Sequence, residues 1–162
     1  AGVNYICYGL LAREVERVRR QGTSLSMLMV DADHFKAIND TWGHSAGDAV
    51  LRGLAACLVA GTRSLDVVGR LGGEELGVLL PSADLDTAMR VAERLRSSIE
   101  RAVIDWRGAQ LRVTVSIGVA EWDAEMALDD LAEAADLALY EAKRLGRNRI
   151  MAAPGMETLL GP

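Results

Sequence analysis

Apolar residues recur along the chain with two different periods, and the switches between them outline its elements. Leu11, Val15 and Val18 fall at helical spacing, with Arg13, Glu14, Glu16, Arg17 and Arg19 on the other face. Residues 5–21 are therefore predicted to form an amphipathic helix, stopped by Gly22. The short apolar run at 25–30, interrupted only by Ser26, reads as a buried strand that ends abruptly in Asp31-Ala32-Asp33. Val50, Leu51, Leu54 and Leu58 mark the inner face of a helix over 47–60. Two short apolar segments, 65–71 and 76–80, flank Gly72-Gly73, a two-residue hairpin signal, and Pro81-Ser82 closes the second. A helix over 85–101, an alternating strand over 111–120, a long amphipathic helix over 128–145 and an edge strand at 149–151 complete the pattern. The residues after Pro154 are expected to fray.

This order contains βαββαβ, so the predicted fold class is α+β: a ferredoxin-like core with an extra helix at each end. A right-handed crossover sets the first hairpin strand parallel to the strand at 25–30, and the second runs antiparallel to both. With the second hairpin strand beside the first strand, the Gly72-Gly73 turn and Glu74 come close to Asp31. Two acidic clusters then meet at one edge of the sheet.

Composition narrows the function classes. At 162 residues the chain is expected to form a single domain. Half the residues are apolar and a quarter charged, the balance of a globular protein. Eighteen basic against 23 acidic residues leave a formal charge of −5, which argues against a duplex-DNA binder working by phosphate neutralisation. No stretch approaches the roughly 18 unbroken apolar residues of a membrane span. Cys7 and Cys57 are too few for a disulfide framework or a cysteine-rich zinc site, and Cys57, among Ala56, Leu58 and Val59, is expected in the core. These counts suit a cytoplasmic location. The opening residues carry no basic and apolar leader, and the sequence reads as a piece of a longer protein.

The acidic meeting point has two readings. Asp31 and Asp33 could simply end a strand while Glu74-Glu75 decorate a hairpin tip, since exposed acids are common. Gathered together they repel one another, and a hard divalent cation relieves that repulsion. Oxygen ligands select Mg²⁺ or Mn²⁺, and Mg²⁺ takes only one or two carboxylates, leaving room for substrate phosphates. The segment from Asp31 to Asp48 adds polar groups too dense for a plain connector. It holds the sole Phe, Phe35, both histidines, His34 and His44, and one of two lysines, Lys36, against sixteen arginines. Asn39 and Asp48 offer donors and acceptors matched to guanine, and Lys36 a point charge for a triphosphate. Lys143 and Arg147, alone, would read as a basic helix end complementing its dipole.

The stretch D-A-D-H-F-K-A-I-N-D-T-W-G-H-S-A-G-D (31–48), followed by G-G-E-E-L (72–76), resembles the GGDEF domain of bacterial diguanylate cyclases. So do T-V-S-I-G-V-A (114–120) and A-D-L-A-L-Y-E-A-K-R-L-G-R-N-R (135–149). The resemblance covers about residues 10–151, with 1–9 a degenerate opening segment and 152–162 a tail. It implies a nucleotide-cyclase or polymerase-palm-like fold and condensation of two GTP into cyclic di-GMP with release of two pyrophosphates. It implies Mg²⁺ or Mn²⁺, two ions per site, held by Asp31, the Ala32 carbonyl and Glu74. Glu74 would also help deprotonate the attacking 3′-hydroxyl, Glu75 would support the metal site, and Lys36 would stabilise phosphate charge. Asn39, Asp48 and His44 would hold the guanine, Lys143 and Arg147 the terminal phosphates. Gly72 and Gly73 would let the backbone approach them. Each subunit would hold one GTP, so a homodimer is implied, with an upstream sensor or dimerisation domain.

The resemblance also implies a second site. Arg63-Ser64-Leu65-Asp66 is an R-x-x-D motif five residues before the signature, where product would bind and inhibit, with Arg94 a secondary contact. Three departures stand out. Leu76 replaces Phe at a position expected to be buried, Trp42 stands where Tyr is usual, and D-x-L-T-G-L-x-N-R is reduced to Ala1-Gly2-Val3-Asn4-Tyr5. Three other readings compete with an active cyclase: a catalytically silent module binding cyclic di-GMP or GTP, another metal-dependent nucleotidyl-transferring enzyme, and a purely structural interaction domain.

Overall fold

The structure, a computed structural model, describes residues 4–5 and 8–154. Its elements in chain order are β1 (Asn4–Tyr5), α1 (Tyr8–Gln21), β2 (Leu25–Ala32), α2 (Phe35–Trp42), α3 (His44–Ala60), β3 (Val67–Gly72), β4 (Glu75–Pro81), α4 (Leu85–Arg101), β5 (Ile104–Trp106), β6 (Ala109–Leu111), β7 (Val115–Glu121), α5 (Leu128–Arg144) and β8 (Ile150–Ala152). Six strands form one sheet in the order β1-β3-β4-β2-β7-β8, and β5-β6 is a separate hairpin. Within the sheet, β3-β4-β2-β7 is the antiparallel ferredoxin-like core the topology predicts. β8 pairs parallel to β7 at one edge.

Every residue of β2 is buried because both faces of the sheet are covered. Met27 and Met29 point into a cluster with Leu11, Val15 and Val18 of α1 and Leu131 and Leu139 of α5. Leu28 and Val30 point the other way, toward Val50, Leu54 and Leu58 of α3 and Ala92, Leu95 and Ile99 of α4. Gly118 of β7 allows α5 to sit on the sheet. A Cβ there would lie 2.0 Å from the Ala135 carbonyl oxygen and 2.3 Å from the Leu139 nitrogen.

The structure revises several sequence expectations. The polar segment after Asp33 contains a helix, α2, whose buried residue is Phe35, and α3 begins at His44 rather than at 47. The predicted strand 111–120 is two elements, since 109–111 turns back on β5 through Arg107 and Gly108, both at positive φ. Tyr5 belongs to β1, parallel to β3 at Gly69 and Arg70, rather than to α1. Cys57 is half-buried and packs against the core rather than within it, and burial pushes its thiol pKa up. Leu76 is buried as expected. Cys7 and the segment after Pro154 lie outside the described residues. Among the described residues no helix is long and apolar enough to cross a membrane.

Candidate active site

The β2–β4 register sets Asp31 directly opposite Glu75, so the acidic clusters meet as the topology requires. The tight turn is one residue later than Gly72-Gly73. Gly72 pairs with Glu75 across it, and a register shift between Arg70 and Gly72 leaves Leu71 as the extra residue. Gly73 (φ 51°) and Glu74 form the turn, and the Arg70 side chain pins it by donating to the Gly73 carbonyl at 2.9 Å from Nε. Glu74 therefore stands at the tip beside Asp31.

Asp31 is 3% exposed. Its Oδ2 accepts from the Lys143 ammonium at the end of α5, while its Oδ1 is buried with no partner among the described residues. The pKa values of both neighbouring glutamates are raised. For Glu74 partial desolvation is the larger cause and Asp31 the next, with Lys143 opposing. For Glu75 the order is desolvation, then Asp136 on α5, then Asp31. No three acidic, histidine or cysteine side chains among the described residues converge closely enough to cage an ion alone. The donor set still suits Mg²⁺, a hard ion that uses few carboxylates and keeps sites for phosphate oxygens. The unpartnered Asp31 Oδ1 leaves one buried oxygen for such an ion.

Sharing Glu74 with this acidic pole is a cavity of about 440 Å³ lined by three basic side chains, Lys36, Lys143 and Arg147, and three acidic ones, Asp33, Asp40 and Glu74. The start of α2 also faces it, through Phe35 and Lys36. The first amides of a helix have no intrahelical partner, so that end favours anions. His34 enters the helix in the left-handed region (φ 56°) with no side-chain cap. This backbone contribution was not readable from the sequence, because α2 was not.

Asn39, His44 and Asp48 lie beyond the cavity lining, along the seam of α2 and α3. Asn39 packs on Gly47, the neighbour of Asp48, so closely that a Cβ on Gly47 would lie 1.9 Å from Asn39 Oδ1. That Oδ1 is buried and unpartnered among the described residues. His44 and Asp48 are exposed and four residues apart on α3, hence on one face.

Asp33 has a different place from Asp31. It accepts from Thr114 Oγ1 at 2.6 Å, Ser116 Oγ at 2.7 Å and the Asn148 amide at 3.0 Å. Both its oxygens are engaged in joining β2 to β7 and to the loop that carries Arg147.

The R-x-x-D residues also come together. Arg63 holds Asp66 through both guanidinium and backbone N–H groups, the latter at 2.7 Å, and donates to the Pro81 carbonyl at 2.8 Å. The Asp66 side chain is buried beneath a half-exposed Arg63. Arg94 of α4 donates to the Gly61 carbonyl at 2.7 Å, beside the turn that leads into Arg63.

A family model described as "Diguanylate cyclase, GGDEF domain" matches residues 6–149. The chain belongs to the GGDEF family. Diguanylate cyclase A of Treponema denticola is 46% identical to this GGDEF domain over 128 residues, covering 78% of this chain and 34% of that protein. The chain spans about a third of the length of such curated relatives. Among solved structures, the GGDEF domain of DgcB from Caulobacter crescentus, in complex with c-di-GMP, superposes with TM-score 0.87 at 32% identity, covering 96% of this chain and 93% of that one. The active GGEEF domain of a Vibrio cholerae diguanylate cyclase superposes with TM-score 0.84 at 30% identity, covering 94% and 98%. The palm-like nucleotide-cyclase fold is thereby established for this GGDEF domain. Its signature reads GGEEL, with Leu76 closing the core beneath the turn.

Proposed function

We propose that this GGDEF domain condenses two GTP into cyclic di-GMP. The observation that carries this reading is the placement of the carboxylates of Asp31, Glu74 and Glu75 beside three basic side chains, Lys36, Lys143 and Arg147, that converge on one cavity. One cluster suits a divalent cation, the other a triphosphate. Asp31, the Ala32 carbonyl and Glu74 would hold Mg²⁺ or Mn²⁺, with Glu75 supporting. Bound there, the ions would supply Lewis acidity toward phosphate oxygens and the attacking hydroxyl.

The remaining chemistry falls to the chain's own residues. Glu74, at the turn tip beside Asp31, would accept the 3′-hydroxyl proton. The 3′-oxygen forms a bond to the α-phosphorus of the other nucleotide, and the bond to pyrophosphate breaks. Lys36, Lys143 and Arg147 hold the phosphates in line and take up the charge that develops on them. Gly72 beside the turn and Gly73 within it would let the backbone come close to the phosphates. Asn39 and Asp48 orient the guanine, with His44 beside them. Each domain holds one nucleotide, so two copies must face each other, and a sensor or dimerisation module outside this sequence would bring them together.

The Arg63–Asp66 pair is read as a second site, for product, with Arg94 alongside. The c-di-GMP complex of the DgcB GGDEF domain supports cyclic di-GMP as a ligand class. The test is incubation of the concentrated domain with GTP and Mg²⁺ and mass analysis of the products, with Glu74→Ala beside it. Cyclic di-GMP from the parent alone is the expected result. No product at high concentration or after forced dimerisation would favour a silent binding module, and titration of cyclic di-GMP into parent and Arg63→Ala would then test the second site.

A further inference from the structure

Arg147 stands in a run of three consecutive residues at positive φ. Gly146, Arg147 and Asn148 follow one another at φ 126°, 65° and 46°, and a long side chain such as arginine rarely occupies the left-handed region. The loop is held there by bonds on every side. The Arg147 amide donates to the Ala142 carbonyl at 3.0 Å. The Arg147 carbonyl accepts from Arg149 Nε at 3.0 Å. The next amide, of Asn148, donates to Asp33 at 3.0 Å.

The Asn148 side chain is gripped separately, from α4. Arg96 Nη1 donates to its Oδ1 at 2.8 Å, and its Nδ2 donates to Glu100 at 2.8 Å. The two charged partners fix which way the carboxamide faces, because a cation requires its oxygen and an anion its nitrogen. Arg96 is itself locked, doubly bonded to Glu93 and bonded to Glu100 at 2.6 Å. The same bonds hold the Glu100 carboxyl below its ordinary value, Asn148 contributing most and Arg96 next. Neither Arg96 nor Glu100 lines the cavity that Lys36 and Lys143 share, whereas Arg147 does.

We propose that Arg96, with Glu100, is a positioning residue that aims Arg147 at the terminal phosphates through the Asn148 carboxamide. It thereby sets the preference of the site for a triphosphate over a monophosphate. This rests on the reading of Arg147 as a phosphate holder. The physical reason is preorganisation. An arginine on a free loop must be ordered when the nucleotide binds, and a clamped left-handed loop has removed the backbone part of that cost beforehand. Surface ion pairs contribute little to stability, so losing the clamp should show in ligand selectivity more than in folding.

The experiment measures equilibrium binding of GTP and of GMP, each with Mg²⁺, to the parent and to Arg96→Met, Asn148→Gly and Arg147→Ala. Asn148→Gly removes the carboxamide while tolerating the left-handed backbone. GMP lacks the terminal phosphates and reports the rest of the site. All three variants are expected to lose about five- to tenfold in GTP affinity while GMP affinity stays within about twofold. Arg96→Lys should restore part of the loss, and KM should move more than kcat. An unchanged GTP-to-GMP ratio in Arg96→Met and Asn148→Gly, with a lowered ratio in Arg147→Ala, would overturn the positioning role and leave the phosphate reading standing. Equal loss of GTP and GMP would also overturn it, since that is what general loosening gives. An unchanged ratio in Arg147→Ala would defeat the phosphate reading and the proposal together. If Arg96→Met does not fold, Glu100→Gln carries the same comparison.

Discussion

Lys143 closes on Asp31 across 112 positions of sequence, so the ammonium proposed to hold the terminal phosphates is the counter-ion of the proposed metal ligand. The two proposed roles compete through one carboxylate. A divalent cation on Asp31 would weaken its hold on the ammonium, and a triphosphate would draw Lys143 away from it. Metal and nucleotide should therefore favour each other's binding.

Lys143→Met is the direct check. Without metal, Asp31 is left buried with no cation, and the domain should lose about 1–3 kcal/mol, toward the low end because Lys143 is partly exposed. Titrated with Mn²⁺ alone, the variant should bind it up to about tenfold more tightly than the parent, because no ammonium competes. GTP affinity should fall. Weaker Mn²⁺ binding by the variant would rule out the competition.

The raised pKa values of Glu74 and Glu75 predict a pH effect on stability in EDTA. A carboxyl whose folded value lies above its unfolded value binds more protons in the folded state between those two values. Folding stability from these groups is then fullest below the ordinary glutamate range and is lost as pH rises through the raised value. At neutral pH, Glu74→Gln and Glu75→Gln should each melt higher than the parent in EDTA. The advantage should shrink as pH falls toward the ordinary glutamate range. Thermal melts from pH 4 to 8 check this, and a gap that widens toward acid would contradict it.

Legibility in the sequence followed periodicity and ended where geometry became non-local. The run at 25–30 and the helical spacing over 85–101 are strong because burial repeats along one element, and the structure has both. The meeting of Asp31 with the Glu74-Glu75 pair followed from the βαββαβ order once β4 was set beside β2, and the register puts Glu75 opposite Asp31. α2 was hidden because its eight residues bury Phe35 and little else, and its entry at His34 lacks a side-chain cap. The turn shift to Gly73-Glu74 depends on a bulge at Leu71 and on Arg70 reaching the Gly73 carbonyl, which no turn rule contains. The hairpin β5–β6 turns at Arg107-Gly108, outside the usual Asn-Gly and Asp-Gly signals. The clamp on Arg147 joins residues 52 and 115 positions apart, and no spacing announces such pairs.

Gly118→Ala tests how closely the phosphate-binding end depends on the seat of α5. The new methyl would collide with the Ala135 carbonyl and the Leu139 amide, which are backbone and cannot swing aside. The helix must lift from β7, at a cost of about 3 kcal/mol or more. Lys143, on the last turn of that helix, would move away from Asp31. Lowered thermal stability together with lost GTP binding is expected, and full stability with full binding would contradict the tight seat.

Gly47→Ala should separate stability from recognition. In the interior of α3, alanine is the better helix former by about 1 kcal/mol. Its methyl would overlap Asn39 Oδ1, the end of a flexible side chain, and press on the Phe35 ring at 3.0 Å. The side chain of Asn39 can yield by changing rotamer, so the fold should keep its melting temperature within a few degrees. The yielding reorients the carboxamide that is proposed to meet the guanine edge. KM for GTP should therefore rise about tenfold, the scale of one lost hydrogen-bonding partner. Mn²⁺ binding at the distant Asp31 should stay unchanged. A variant with parental KM would remove Asn39 from the guanine site, whereas a strongly destabilised one would show that Phe35, and not Asn39, absorbs the clash.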